Sequence, residues 1–259
     1  MRASEGVFSS AEAPSRRSQQ PIPNPSRRVL NKATLLTLVL MLVAGLVFGL
    51  APELDLMVAQ LFWREGAGFI GQTPTGDMLR SIFYAAPFWI LGLAACGALL
   101  KQMGLKRFWL PSGRAVLFLT LSLALGPGLL VNVILKGHSH RPRPIQTQEM
   151  GGKWEFRPWY KFDGACIKNC SFVSGEAASS FWTIAPALLT PPPVQPLAIA
   201  AALTFGTATG LLRMAFGGHY LSDVIFAGLF TLLVIFALYR FLIPSPRKES
   251  DLRDADAAL

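Results

Sequence analysis

A chain of 259 residues with 52% hydrophobic side chains could form one domain of any class, but its apolar residues are gathered into long runs, which speaks against an ordinary soluble domain. A net charge of +9 is of the kind found in nucleic-acid binders. More than half of the basic residues, however, cluster at one set of run ends, as in the cytoplasmic loops of membrane proteins.

The expected fold is all-α, a bundle of six transmembrane helices with one interfacial helix. A hydrocarbon core needs roughly 20 apolar residues per helix, and the candidate runs are 33–52, 81–100, 114–135, 175–190, 197–212 and 223–243, the fourth and fifth being short. Residues 1–32, charged and rich in Pro and Ser, read as a disordered cytoplasmic tail. Residues 33–243 read as the membrane domain and 244–259 as a second cytoplasmic tail. The first run is too long for a signal-peptide core and reads as an uncleaved anchor.

Basic residues set the orientation. Arg2, Arg16, Arg17, Arg27, Arg28 and Lys32 precede the first run, Lys101, Lys106, Arg107 and Arg114 follow the second, and Arg240, Arg247, Lys248 and Arg253 follow the last. An even number of spans puts both termini in the cytoplasm and 53–80, 136–174 and 213–222 outside.

After the first run, Pro52 to Trp63 mixes apolar and acidic residues and ends in aromatics, as an interfacial helix would. The third run ends in Lys136-Gly-His138-Ser-His140-Arg141-Pro-Arg143-Pro144. Two X-Pro steps stiffen the presentation of Arg141 and Arg143, which suits a defined anion site better than a solvated basic loop. The following loop interleaves Trp154, Phe156, Trp159, Tyr160 and Phe162 with Lys153, Arg157 and Lys161, a surface fit for lipid headgroups. Cys166 and Cys170 lie in this external loop, where a disulfide is permitted. A two-thiolate metal site is the alternative, with no histidine nearby to complete it. Cys96, inside the second run, reads as a packed thiol.

Ser174, Gly175 and Glu176 open the fourth run, where a helix start offers backbone N–H groups to an anion. Glu176 there either favours the helix dipole or, with a raised pKa, serves as an acid. Gly206 and Gly210 are spaced for close helix contact. The last two runs meet at Arg213-Met-Ala-Phe-Gly-Gly-His219-Tyr-Leu-Ser-Asp223. If a helix begins near Gly218, the four-residue step stacks His219 and Asp223 on one face, so the carboxylate fixes the imidazole tautomer and frees the other nitrogen to attack. A histidine and aspartate that only cap a helix would look the same. The clusters at 136–144, 174–176 and 213–223 all fall at one membrane face, where cations, amides and an oriented histidine could converge for phosphoryl transfer.

At this point the sequence resembles the type-2 phosphatidic acid phosphatase family. Its three motifs are matched by Lys136 with Arg143-Pro144, in part by Val173-Ser174-Gly175-Glu176, and by Arg213, His219 and Asp223 with Leu212 in place of the motif's serine. The resemblance, over roughly residues 53–240, implies that Lys136, Arg143, Ser174, Gly175 and Arg213 bind phosphate, with Arg141 a further candidate. It implies His219 as nucleophile, Asp223 as its orienting group, and no metal or cofactor. The family's second-motif histidine, which protonates the leaving group, is replaced by Glu176. Glu176, His138 and His140 are therefore the candidate acids, unless the leaving group is good enough to need little help.

Within the family, the interfacial stretch and the aromatic loop resemble bacterial lipid A phosphatases, which act on the 1- or 4′-phosphate at the periplasmic side of the inner membrane. Undecaprenyl diphosphate and phosphatidylglycerophosphate phosphatases and a lipid-to-lipid phosphotransferase share the chemistry. A phosphate or lipid transporter is the reading from another class, but it should keep polar residues at mid-membrane depth. The expected partner is a membrane lipid, with no nucleic acid and no obligatory protein partner.

Overall fold

The computed structural model describes residues 27–105 and 110–244. The expectations for 1–26, for Lys106 and Arg107, and for the chain from 245 onward lie outside the described residues. Helix α1 (Arg27–Leu50) starts ahead of the hydropathy run, because Arg27, Arg28 and Lys32 sit on its first turns, where long stems can keep charge at the interface. At the same end of the bundle Arg240, near the end of the last helix, donates to Asn31 Oδ1 at 3.0 Å.

The interfacial stretch is helix α2 (Glu53–Gln60), which buries Asp55 and Ala59. A small hairpin follows, β1 (Trp63–Arg64) paired antiparallel with β2 (Gly68–Phe69). Helix α3 (Pro74–Gln102) is opened by Thr73, whose side chain accepts from the Gly76 N–H at 3.0 Å, with Pro74 in the first turn where its missing N–H costs nothing. Cys96 is exposed on α3, not packed as the sequence suggested.

The third rod begins as α4 (Gly113–Leu123), widens into a π-helix (Ala124–Leu135) and closes as α5 (Lys136–His138). Pro127 lies in the widened stretch. It has no N–H for a helical bond, and wider turns of this kind accommodate such a residue and often mark functional sites. The Asn132 side-chain amide donates to the Pro127 carbonyl at 2.8 Å.

Among the described residues five helices are long and apolar enough to cross a membrane: α1, α3, the rod Gly113–His138, α8 (Gln195–Ala215) and α9 (Leu221–Leu242). The remaining expected run, 175–190, is a pair of short helices, α6 (Gly175–Phe181) and α7 (Ile184–Ala187). They pack against α3, the third rod, α8 and α9, and Ala177, Ala178, Ser180 and Trp182 are fully buried. A broken helix is tolerated at membrane depth when protein, not lipid, surrounds it. Gly206 lies under the Phe181 ring and Gly210 under Val224, each with no room for a side chain. Leu35, Leu42, Leu46, Trp89 and Leu93 are exposed, as expected of faces whose solvent is acyl chain.

Candidate active site

Helix α8 hands the chain to α9 through a short turn. Gly217 takes a left-handed φ of +65° and lies against the Phe69 ring, so glycine is needed there on two counts. His219 and Tyr220 follow before α9 begins at Leu221, so His219 is not on a helix and the expected shared helix face is corrected. Asp223, in the first turn of α9, points back, accepts from the Tyr220 N–H at 2.8 Å and ends 3.7 Å from His219 Nδ1. It is both a helix cap and a neighbour of the imidazole.

The nearer partner of Nδ1 is the Ser171 carbonyl at 2.7 Å. A carbonyl only accepts, so Nδ1 carries the proton and Nε2 presents a lone pair. The Ser171 hydroxyl donates to Asp223 Oδ2, so one residue positions both the imidazole and its carboxylate. The ring is 1% exposed. Burial lowers its pKa to about 4; the Asp223 carboxylate, which accepts from the ring, opposes this, and the charges of Lys136 and Arg213 add to it. At neutral pH the His219 ring is therefore uncharged, and both cations lie near enough to act on it.

Of the expected phosphate ligands, Lys136 and Arg143 meet at Asn169. Lys136 Nζ donates to its Oδ1 at 3.3 Å and Arg143 Nε to its carbonyl at 3.1 Å. Arg213 is 3% exposed, and its Nε faces Glu176 Oε1 at 3.4 Å without a hydrogen bond of good geometry. Ser174 is fully buried. Its hydroxyl accepts from the Ala177 N–H at 3.4 Å, and its own N–H donates to the Asp223 carbonyl at 3.2 Å, which ties the start of α6 to the start of α9. Gly175 lies against the Asn132 side-chain oxygen, leaving no space for a Cβ.

Arg141 does not belong to this set. It is fully buried, bridging Asp55 (Nη2 to Oδ2, 2.7 Å) and Asp223 (Nη1 to Oδ1, 2.6 Å), and it lies over the Tyr220 ring at 4.2 Å. With both carboxylates against it, this guanidinium orders the site but has no charge left over for substrate. Asp55 in turn holds α9 by accepting from the Ser222 N–H at 2.8 Å and hydroxyl at 2.6 Å.

The acid candidates are also corrected. Glu176 is paired with Arg80, which reaches it through Nη2 at 2.7 Å and Nε at 3.1 Å, and with Arg213 Nε at 3.4 Å. A carboxylate between two guanidiniums is an ion with no proton to give. His138 Nδ1 caps its own helix at the Ile134 carbonyl, 2.7 Å, and His140 Nδ1 binds the Cys166 carbonyl at 2.9 Å. Neither lines the cavity beside Lys136. Cys166 and Cys170 are joined, and their short loop carries Asn169 and leads into Ser171.

Sequence reasoning missed Asp55, Arg80, Asn169 and Ser171. Only Arg80 left a signal, as a lone cation at the start of an apolar helix.

A cavity of about 610 Å³ opens beside Lys136, lined among others by Arg80, Asn169, Gly175 and Glu176, with Phe88 below. A membrane helix bundle that gathers cations around a buried, neutral, oriented imidazole is built as a membrane phosphatase. The PAP2 superfamily profile matches residues 115–246, and the chain belongs to that superfamily. It is 33% identical over 217 residues to a lipid A 4′-phosphatase of Francisella tularensis subsp. novicida (strain U112), covering 80% of this chain and 95% of that protein. It is also 35% identical over 207 residues to a lipid A 4′-phosphatase of Rhizobium leguminosarum, covering 74% and 88%. In fold it is similar to the crystal structure of the first transmembrane PAP2 type phosphatidylglycerolphosphate phosphatase from Bacillus subtilis, with a TM-score of 0.52 and 18% identity, covering 82% of this chain and 94% of that one.

Proposed function

We propose that the protein is a lipid A phosphatase of a bacterial inner membrane, that it removes the 4′-phosphate at the periplasmic face, and that His219 carries the phosphoryl group between two half-reactions. Lys136, Arg143 and Arg213 neutralise the phosphate and draw charge from phosphorus. His219 Nε2 attacks in line with the bond to the lipid oxygen, while the Ser171 carbonyl and Asp223 hold the ring and stabilise the charge it gains. Water then takes the phosphoryl group from Nε2. Both termini are placed in the cytoplasm, supported by Arg27, Arg28 and Lys32 at the start of α1, Lys101 at the end of α3 and Arg240 at the end of α9.

The observation that carries the lipid reading is the shape of the cavity. Phe88, Asn132 and Ser179 also line a second cavity of about 330 Å³, walled by Leu91, Leu123, Ala124 and Pro127. A polar mouth that continues into an apolar groove between α3 and the π-helix fits a headgroup phosphate with a hydrocarbon tail. Neither nucleic acid nor an obligatory protein partner enters this reading.

Purified protein given lipid A, undecaprenyl diphosphate and phosphatidylglycerophosphate separately should release phosphate fastest from lipid A. Faster release from either of the others would reassign the substrate, and phosphate recovered on a second lipid would make the enzyme a transferase. Because the proposed anion contacts are protein cations and amides, EDTA should leave the rate unchanged. A loss restored by one divalent ion would overturn that part of the account.

A further inference from the structure

The site as described has a nucleophile and phosphate ligands but no proton donor for the departing lipid oxygen. Glu176 is held as an ion, and His138 and His140 are occupied elsewhere. The cavity does hold one cation that none of the three motifs contains. Arg80, near the start of α3, lines the same wall as Lys136 and Glu176, and its side chain is 42% exposed.

Resting on the phosphatase reading above, we propose that Arg80 is a further catalytic residue, one that stabilises the negative charge on the leaving oxygen in place of a general acid, and that Glu176 is its positioning residue. Three geometric facts carry this. Glu176 grips Arg80 by Nε and Nη2, so Arg80 Nη1 makes no hydrogen bond among the described residues and stays available. The same carboxylate reaches Arg213 at 3.4 Å, which links Arg80 to a motif cation through a single side chain. Phe216 is flanked by both guanidiniums, at 5.8 Å from Arg80 and 5.7 Å from Arg213, which fixes the two relative to each other. A rigid planar donor next to the phosphate ligands, but on the cavity side, is placed for the oxygen that faces the lipid.

The electron balance then closes without a carboxylic acid. The Nε2 lone pair of His219 forms the N–P bond, and the P–O pair leaves on the lipid oxygen. That alkoxide, stabilised by Arg80, takes a proton from a water in the open cavity. The hydroxide so formed attacks phosphorus, the N–P pair returns to Nε2, and hydrogenphosphate leaves. Arginine does not give up its own proton at any step, in keeping with its high basicity. Removing one such preorganised donor costs about 10²–10³ in turnover where it has been measured.

The test compares two leaving groups on the full-length enzyme. Dodecyl phosphate departs as a strongly basic alkoxide, whereas 4-nitrophenyl phosphate departs as a stable phenolate that needs little help. Arg80→Ala should lower kcat on dodecyl phosphate by ~100-fold and on 4-nitrophenyl phosphate by at least tenfold less. Arg80→Lys should recover part of the dodecyl phosphate rate, because a charge without the fork still helps. Glu176→Gln should shift the two substrates in the same unequal way, more weakly, and should not remove an alkaline limb from the pH profile.

Measurable turnover of the aryl ester by each variant reports that the protein is folded. Equal losses on both substrates would overturn the proposal by making Arg80 a phosphate ligand or a structural partner. So would a Glu176→Gln enzyme that loses dodecyl phosphate turnover together with an alkaline pH limb while Arg80→Ala spares it, since Glu176 would then be the acid. Wild-type enzyme releasing phosphate from neither ester nor from lipid A would instead sink the phosphatase reading itself.

Discussion

Replacing His219 with alanine is expected to lower phosphate release by at least ~10⁴-fold, the scale on which enzymes lose rate when a covalent nucleophile is deleted. No other group among the described residues is in position to take its place. Lys136 and Arg143 are held at Asn169, Arg141 is consumed by Asp55 and Asp223, and the Ser171 hydroxyl is engaged with Asp223. The fold should survive, because His219 lies in a turn whose shape is set by Gly217, Gly218 and the Asp223 cap and does not depend on the imidazole. Phosphate release assayed on variant protein that elutes as wild type separates loss of chemistry from loss of structure. Substantial residual turnover would assign the nucleophile elsewhere.

The second large effect is on stability. Arg141→Ala should cost about 3–5 kcal/mol, the usual consequence of removing one partner from a buried ion pair and leaving the other uncompensated. Here two carboxylates are stranded, Asp55 at 1% and Asp223 at 0% exposure. The Nη1 bond to the Ser222 hydroxyl (2.9 Å) and the Nε bond to the Arg157 carbonyl (2.8 Å) go with them. Arg141→Lys should not rescue, since one ammonium cannot span two carboxylates and a carbonyl as the planar fork does. Thermal unfolding in detergent checks this. A variant that melts like wild type but shows a raised KM would return Arg141 to the phosphate ligands.

Arg141 shows where the sequence misleads. Beside Arg143 and stiffened by two prolines, it looks like a second phosphate ligand. Its partner Asp55 is 86 residues away on the interfacial helix, and nothing local announces the pairing. Arg80 and Glu176 are separated by 96 residues in the same way. Lys136, Arg143, Arg213, His219 and Asp223 could be proposed as site residues because motif spacing is local where pairing is not. The relation of His219 to Asp223 was right in its members but wrong in its geometry, because a helix that starts at Leu221 makes Asp223 a cap that reaches back across the turn. In the fold, the apolar runs located all five long helices. The 175–190 segment reads as a span only by composition, and its Ala- and Ser-rich sequence suits a short broken helix enclosed by its neighbours, which needs no lipid-facing surface.

The central claim is that the phosphoryl group passes through Nε2 of His219. Acid-labile phosphohistidine can be trapped by quenching turnover of labelled substrate into base, digesting, and locating the label by mass and by the isomer-specific NMR shift of the phosphoimidazole. The account predicts label on His219 alone and on Nε2 alone, because Nδ1 is tied to the Ser171 carbonyl at 2.7 Å. Label on Nδ1 or on another residue, or turnover with no labelled enzyme at any quench time, would contradict it.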